Sequence, residues 1–163
     1  MQGKKDYSEK LFTSFQLSYK VPPENFYRRL KSALDLRFMR KLTAAYYGDC
    51  VQKSIDPEVF MKIMLVGYLE NISSDRQLLG HCAMRLDILY FLGYDIDEQL
   101  PWHSTLSRTR ALLPDEVFTE AFERVLRMCV EKGMVGGRTQ AIDSARIKAN
   151  ASMLQVPIHR GTA

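Results

Sequence analysis

Asp143 is the only carboxylate in residues 134–163, and it closes an apolar-alternating run in the stretch TQAIDSARIKANAS (139–152). An aspartate there is either a turn residue bonding its own backbone or an oxygen ligand to a divalent metal. A second set is Ser104, Thr105 and Arg108 in HSTLSRTRALL. Short hydroxyls and a guanidinium at the start of a helix suit phosphate and base-edge contacts, although ordinary helix packing uses the same residue types. Arg28, Arg29, Arg40 and Lys41 form a third set, on two successive helical segments and mostly off their apolar lines. Such cations either dock on phosphates or simply solvate a helix face. The acidic run Asp95–Glu98 lacks the glycine and the terminal bidentate carboxylate of a calcium loop, so it reads as a solvated loop.

Bulk properties narrow the classes. The chain has 163 residues, 46% hydrophobic and 26% charged, with a net charge of +4, enough for one well-filled domain or one domain with part of another. No run of 18 apolar residues occurs and the start lacks a signal-peptide core, so a membrane partner is not expected and a cytoplasmic protein is. Cys50, Cys82 and Cys129 are scattered and outside any CxxC spacing, which suits small buried hydrophobes in a reducing compartment. The charge is unevenly spread: 11 basic and 5 acidic residues in 1–53, against 3 and 8 in 54–100. A basic first third favours an anionic partner, DNA or RNA before membrane.

The elements that must position these residues read as helix after helix. A weak helix is expected over 8–17 with Ser8 as its cap. The next starts at Pro22-Pro23, with Phe26, Leu30, Ala33 and Leu34 as its apolar stripe. Asp35 then caps a segment carrying Leu36, Met39, Leu42 and Tyr46. Asp56-Pro57-Glu58 is a strong helix start, and the run after it leaves so little polar circumference that this is the expected core helix. Ser74 with Gln77 fits a capping box. Asp87 is expected to cap ILYFL, which Gly93 stops. Ser104 is expected to cap the helix of HSTLSRTRALL, with Leu106, Thr109, Arg110 and Leu113 inward and Arg108 outward; Arg110 suits an ion pair with a loop acid. Helices near 75–84, 87–92 and 104–113 can form a helix-turn-helix-like trio. A long helix then follows Pro114, with Val117, Phe118, Ala121, Phe122, Val125, Leu126 and Cys129 as one stripe, until Gly133.

Five separated stretches carry a resemblance: FxLSxxVPxxNFYRRL, SIDPEVFMKIMLVGYLENISSDRQL, MRLDILYFLGYDID, LPWHSTLSRTR and AIDSARIKANAS. In this order they resemble bacterial insertion-sequence transposases of the DDE type, IS-five-like class, over about residues 1–153. The resemblance implies a mainly α fold: a multi-helix DNA-binding domain over 1–135, then the first one or two β-strands of a ribonuclease-H-like catalytic domain from 136 to 163. It implies double-stranded DNA as partner, at the terminal inverted repeats of the element. It also implies Asp143 as the first carboxylate of a triad that holds two Mg2+ ions, because a metal pair stabilises both attacking and leaving oxygens of an in-line phosphodiester displacement.

After Asp143 no further Asp or Glu occurs. The expectation is therefore a C-terminally truncated product of an interrupted or frameshifted gene, without stable Mg2+ binding and without strand cleavage on its own. Ser104, Thr105 and Arg108 are the leading DNA contacts, and Arg28, Arg29, Arg40 and Lys41 the weaker ones. Two alternatives stand beside this. One is a helical interaction or regulatory module, meeting an acidic protein or joining itself or a full-length transposase. The other is a relic whose residues after about 136 are open to proteases near Gly136-Gly137, because two strands without a sheet leave unpaired edges.

Overall fold

The computed structural model describes residues 16–47 and 54–133, with Lys5, Ser8 and Ser14 as isolated positions. Eight helices account for the regular structure among the described residues: α1 Leu17–Lys20, α2 Phe26–Ala33, α3 Phe38–Thr43, α4 Pro57–Leu69, α5 Asp75–Ala83, α6 Leu86–Leu92, α7 His103–Leu112 and α8 Asp115–Glu131. The mainly α class holds for these residues, which contain no strand. Most of the helix expected over 8–17, the strands expected after 136, the 135/136 boundary, Cys50 and Asp143 lie outside the described residues.

The core forms around α4, as its continuous apolar circumference implies. Phe60, Ile63 and Val66 are fully buried there, among Met39 of α3, Leu78 and Cys82 of α5, Ile88 and Phe91 of α6, and Leu106 of α7. Burial also pushes the Cys82 thiol up to about 12, so it stays protonated and acts as a small apolar side chain. Asp56 caps α4 by accepting the Glu58 N–H at 2.9 Å, with Pro57 in the first turn. At the other end Asn71 takes φ +54° and the Ile72 N–H returns to the Gly67 carbonyl at 2.8 Å. Gly67 itself is needed for close approach, since a Cβ there would lie 3.0 Å from Leu78 Cδ2 and 3.2 Å from the Ile72 carbonyl oxygen.

Several helix starts differ from the sequence expectation, and each for a local reason. Asn25, not the proline pair, caps α2: its Oδ1 accepts the Tyr27 and Arg28 N–H groups at 2.9 and 3.2 Å. The start of α2 therefore shifts its inner face, burying Tyr27 and leaving Phe26 exposed. Asp35 does not cap α3; it receives the Arg37 backbone N–H and guanidinium instead. Asp87 sits inside the first turn of α6, after Arg85 at the N-cap. Ser104 does not cap α7, whose N-cap is Trp102 with no side-chain bond. Pro114 is the N-cap of α8 rather than part of its first turn. Ser74 and Gly93 behave as expected, Ser74 facing the Gln77 N–H at 3.5 Å and Gly93 ending α6 at φ +90°.

Asn25 also donates to Asp87 Oδ2 at 3.1 Å, so one side chain both starts α2 and ties it to α6. Asn25→Ala is expected to cost about 1–2 kcal/mol in urea unfolding, the cap plus part of the tie. A loss below a few tenths would mean that neither bond contributes.

Candidate nucleic-acid interface

The start of α7 sets an exposed aromatic ring beside a cation of α5, and the helix carries exposed hydroxyls and a second cation beyond it. The inward side of α7 is fixed by Leu106, which is fully buried, and by Thr109 and Leu113, which are nearly so. That burial turns Ser104, Ser107 and Arg108 to the outside, as the helical spacing predicts. Thr105 is half-buried. Arg108 bends back along its own helix, its Nε donating to the Ser104 carbonyl at 3.2 Å, and makes no ion pair among the described residues. The first-turn N–H groups of α7 receive no side-chain cap from Trp102, which leaves the positive end of the helix dipole facing outward, where an anion is favoured.

Residues outside the sequence-derived set join this edge. Trp102 at the N-cap is 75% exposed. Arg76, on the outer side of α5, lies 3.4 Å from His103 Nε2 through its Nη2. Arg76, Trp102 and His103 line a groove of about 440 Å³ with Leu79, Glu98 and Leu100. A lone tryptophan following a proline, just ahead of a Ser/Thr-rich helix start, was the available sequence signal.

Arg110 anchors this edge to the body. Its guanidinium forks onto Asp75 at the first turn of α5, with Nη2–Oδ1 at 2.6 Å and Nη1–Oδ2 at 3.1 Å. The ion-pair expectation is met, with a helix-start acid as partner rather than a loop acid. Ser107 Oγ donates to the same carboxylate at 3.2 Å. The Arg110 bond first, and Ser107 further down, hold the Asp75 carboxyl below its ordinary range against the opposing effect of burial. With Asp75 neutralised internally, the cations of Arg76 and Arg108 face solvent with no carboxylate pair among the described residues.

The other candidate phosphate contacts divide into engaged and open. Arg28 donates through Nη1 to the carbonyls of Ser18 and Val21 and lies 5.6 Å from the centre of the Tyr90 ring, so it straps α1 to α2 and α6. Arg40 pairs with Asp56, the cap of α4. Arg29 and Lys41 are exposed and carry no ion pair or side-chain hydrogen bond among the described residues. The structure thus brings Arg76, Trp102 and His103 together, with Ser104, Thr105 and Arg108 further round the same helix, while Arg28 and Arg40 serve the fold.

Among the described residues no helix is long and apolar enough to cross a membrane, and no group of three or more His, Cys, Asp or Glu side chains is placed to hold a metal.

No curated protein and no solved structure matches the chain significantly. A family model described as Transposase domain (DUF772) matches residues 15–112, running from just before α1 to the last residue of α7 and covering more than half of the chain. With the helical body and the exposed start of α7 both inside the matched span, the chain belongs to this transposase domain family.

Proposed function

We propose that this domain binds double-stranded DNA at the terminal inverted repeats of a bacterial insertion sequence of the DDE, IS-five-like class, through the start of α7 and the adjoining side of α5. The observation that carries this reading is the meeting of Arg76 with the exposed Trp102 at the uncapped start of α7, with Arg108 exposed further along the same helix and neither arginine holding a carboxylate partner among the described residues. Guanidinium groups and free helix N–H groups are the usual phosphate contacts, and an exposed indole adds an apolar or stacking surface. In this reading α5, α6 and α7 serve as the helix-turn-helix-like trio, with Ser104, Thr105 and Arg108 nearest the duplex. Arg29 and Lys41 supply secondary phosphate contacts, and Arg28 and Arg40 act through the fold.

The metal-dependent chemistry implied for Asp143 stands beside this reading. Asp143 lies outside the described residues.

The test is a gel shift with end-sequence and random duplexes at two salt concentrations. Binding to end DNA should fall steeply as salt rises, because each phosphate contact releases counterions. Arg108→Ala should weaken binding roughly tenfold and flatten the log–log salt slope by about one unit. Absent or salt-independent binding would overturn the reading and favour a helical module that meets an acidic protein.

A further inference from the structure

Helix α8 begins beyond the family match and carries a second apolar stripe that the described residues leave uncovered. Its inner side is settled: Val117 and Ala121 are buried, Phe118 lies 6.4 Å from Phe60 between ring centres, and Arg124 sits 5.0 Å from the Phe38 ring centre. Phe122, Leu126 and Val130 follow at steps of four residues on another side, and are 67%, 43% and 51% exposed. At 100° per residue this row lies well round from the line through Val117 and Ala121, so one neighbouring surface cannot bury both.

Charge on α8 says what fits the row. Residues 115–123 hold four acids (Asp115, Glu116, Glu120 and Glu123) and no base. Residues 124–133 hold three bases and one acid, Glu131; Arg124 pairs with Glu120 and Lys132 donates to the Ala33 carbonyl, which leaves Arg127 open beside the row among the described residues. Glu123 and Arg127, one turn apart and flanking the row, make no ion pair or side-chain hydrogen bond among the described residues. Two copies of this helix laid antiparallel bring Arg127 of each toward the acidic half of the other, whereas a parallel pairing in register sets Arg127 against Arg127 and Glu123 against Glu123. Antiparallel pairing also brings Glu123 of each copy to Arg127 of the other, the self-complementary arrangement a two-fold interface requires.

We infer that the exposed Phe122–Leu126–Val130 row of α8 is the contact surface for a second copy of this chain, packed antiparallel and locked in register by reciprocal Glu123–Arg127 pairs. The inference is independent of DNA binding, since α8 and the α7 edge use separate residues. The interface lets one protein dimer present two duplex-binding domains.

Sedimentation equilibrium of the full 163-residue chain without DNA tests this. The wild-type chain should be a dimer that dissociates on dilution, and Leu126→Glu should be monomeric with its helical circular dichroism retained. Glu123→Arg and Arg127→Glu should each weaken dimerisation roughly tenfold, and the two changes together should recover most of the loss. A wild-type chain that stays monomeric at the highest concentration reached would overturn the inference. So would a dimer indifferent to Leu126→Glu, or charge reversals that do not rescue each other. The charge-reversal arm remains informative if Leu126→Glu fails to fold.

Discussion

Arg110→Met should destabilise the domain by about 3 kcal/mol, the largest loss expected from any single change near the candidate DNA edge. Asp75, its partner, has a side chain only 14% exposed, while Arg110 is 40% exposed. Removing the guanidinium leaves a carboxylate largely out of water with only Ser107 to donate to it, and an uncompensated charge in that position is costly. The half-open arginine puts the figure at the low end of what a fully buried pair would lose. Methionine keeps much of the aliphatic stem and gives up the guanidinium, including its Nη2 contact with the Met64 sulfur at 3.2 Å, so the loss reports the charged head more than the volume. Asp75→Asn in the same background should recover part of the stability, because a neutral amide has no unpaired charge to bury. Urea unfolding of the two single variants and the double gives the coupling directly. About 2 kcal/mol is expected, and a value near zero would show that α7 is held on α5 by apolar contact alone.

That fork also shows where sequence reasoning succeeds. The inward position of Arg110 and the outward position of Arg108 both follow from a 100° step along HSTLSRTRALL, since Leu106 must be inside. The helices built on long apolar periods, α4 above all, are legible for the same reason. The choice of cap is less legible, because several short polar residues compete near each start. Asn25 wins over the preceding prolines, and Trp102 takes the N-cap position where Ser104 looked the better capping side chain. A cap is decided by where the chain must turn to bring its apolar residues inside, and that is a tertiary demand.

The functional residues show the same division. Which basic residues are open to a phosphate depends on acceptors in other elements: Arg40 finds Asp56 at the cap of α4, and Arg28 finds two carbonyls at the end of α1. Composition counts those cations as available; the fold uses them. Arg76 and Trp102 have the reverse history, since they stand apart in sequence and only the approach of α5 to α7 makes them neighbours. On α8 the apolar residues read as a single stripe, yet Phe122 and Leu126 are exposed, because the apolar arc is wider than α3 and α4 can cover.

Asp87 should give the domain an acid-sensitive step in stability. Its carboxylate accepts from Arg85 Nε and Nη2 at 2.9 and 2.7 Å and from Asn25 Nδ2 at 3.1 Å. The Arg85 bonds first, then Asn25, outweigh burial and hold its pKa at about 2, below an ordinary value of 3.8. The neighbouring Tyr27 hydroxyl donates to Glu70 Oε1 at 2.6 Å, and Arg85 approaches the same Glu70 carboxylate at 3.8 Å, so the network joins α2, the end of α4 and α6. Because the folded pKa is the lower one, the unfolded chain binds more protons between about pH 4 and 2. The stabilisation is therefore complete above about pH 4 and lost as pH falls through that window. It is worth about 2 kcal/mol, since a tenfold change in acidity corresponds to about 1.4 kcal/mol and the Asp87 side chain is only 15% exposed. Unfolding free energies of wild type and Asp87→Ala, measured from about pH 5 down to about pH 2.5, separate this contribution from the general effect of acid. The gap between the two proteins should narrow steadily as pH falls. A gap that stays constant would mean that the ionised carboxylate does not hold α2 to α6, and that the alanine variant suffers from lost packing alone.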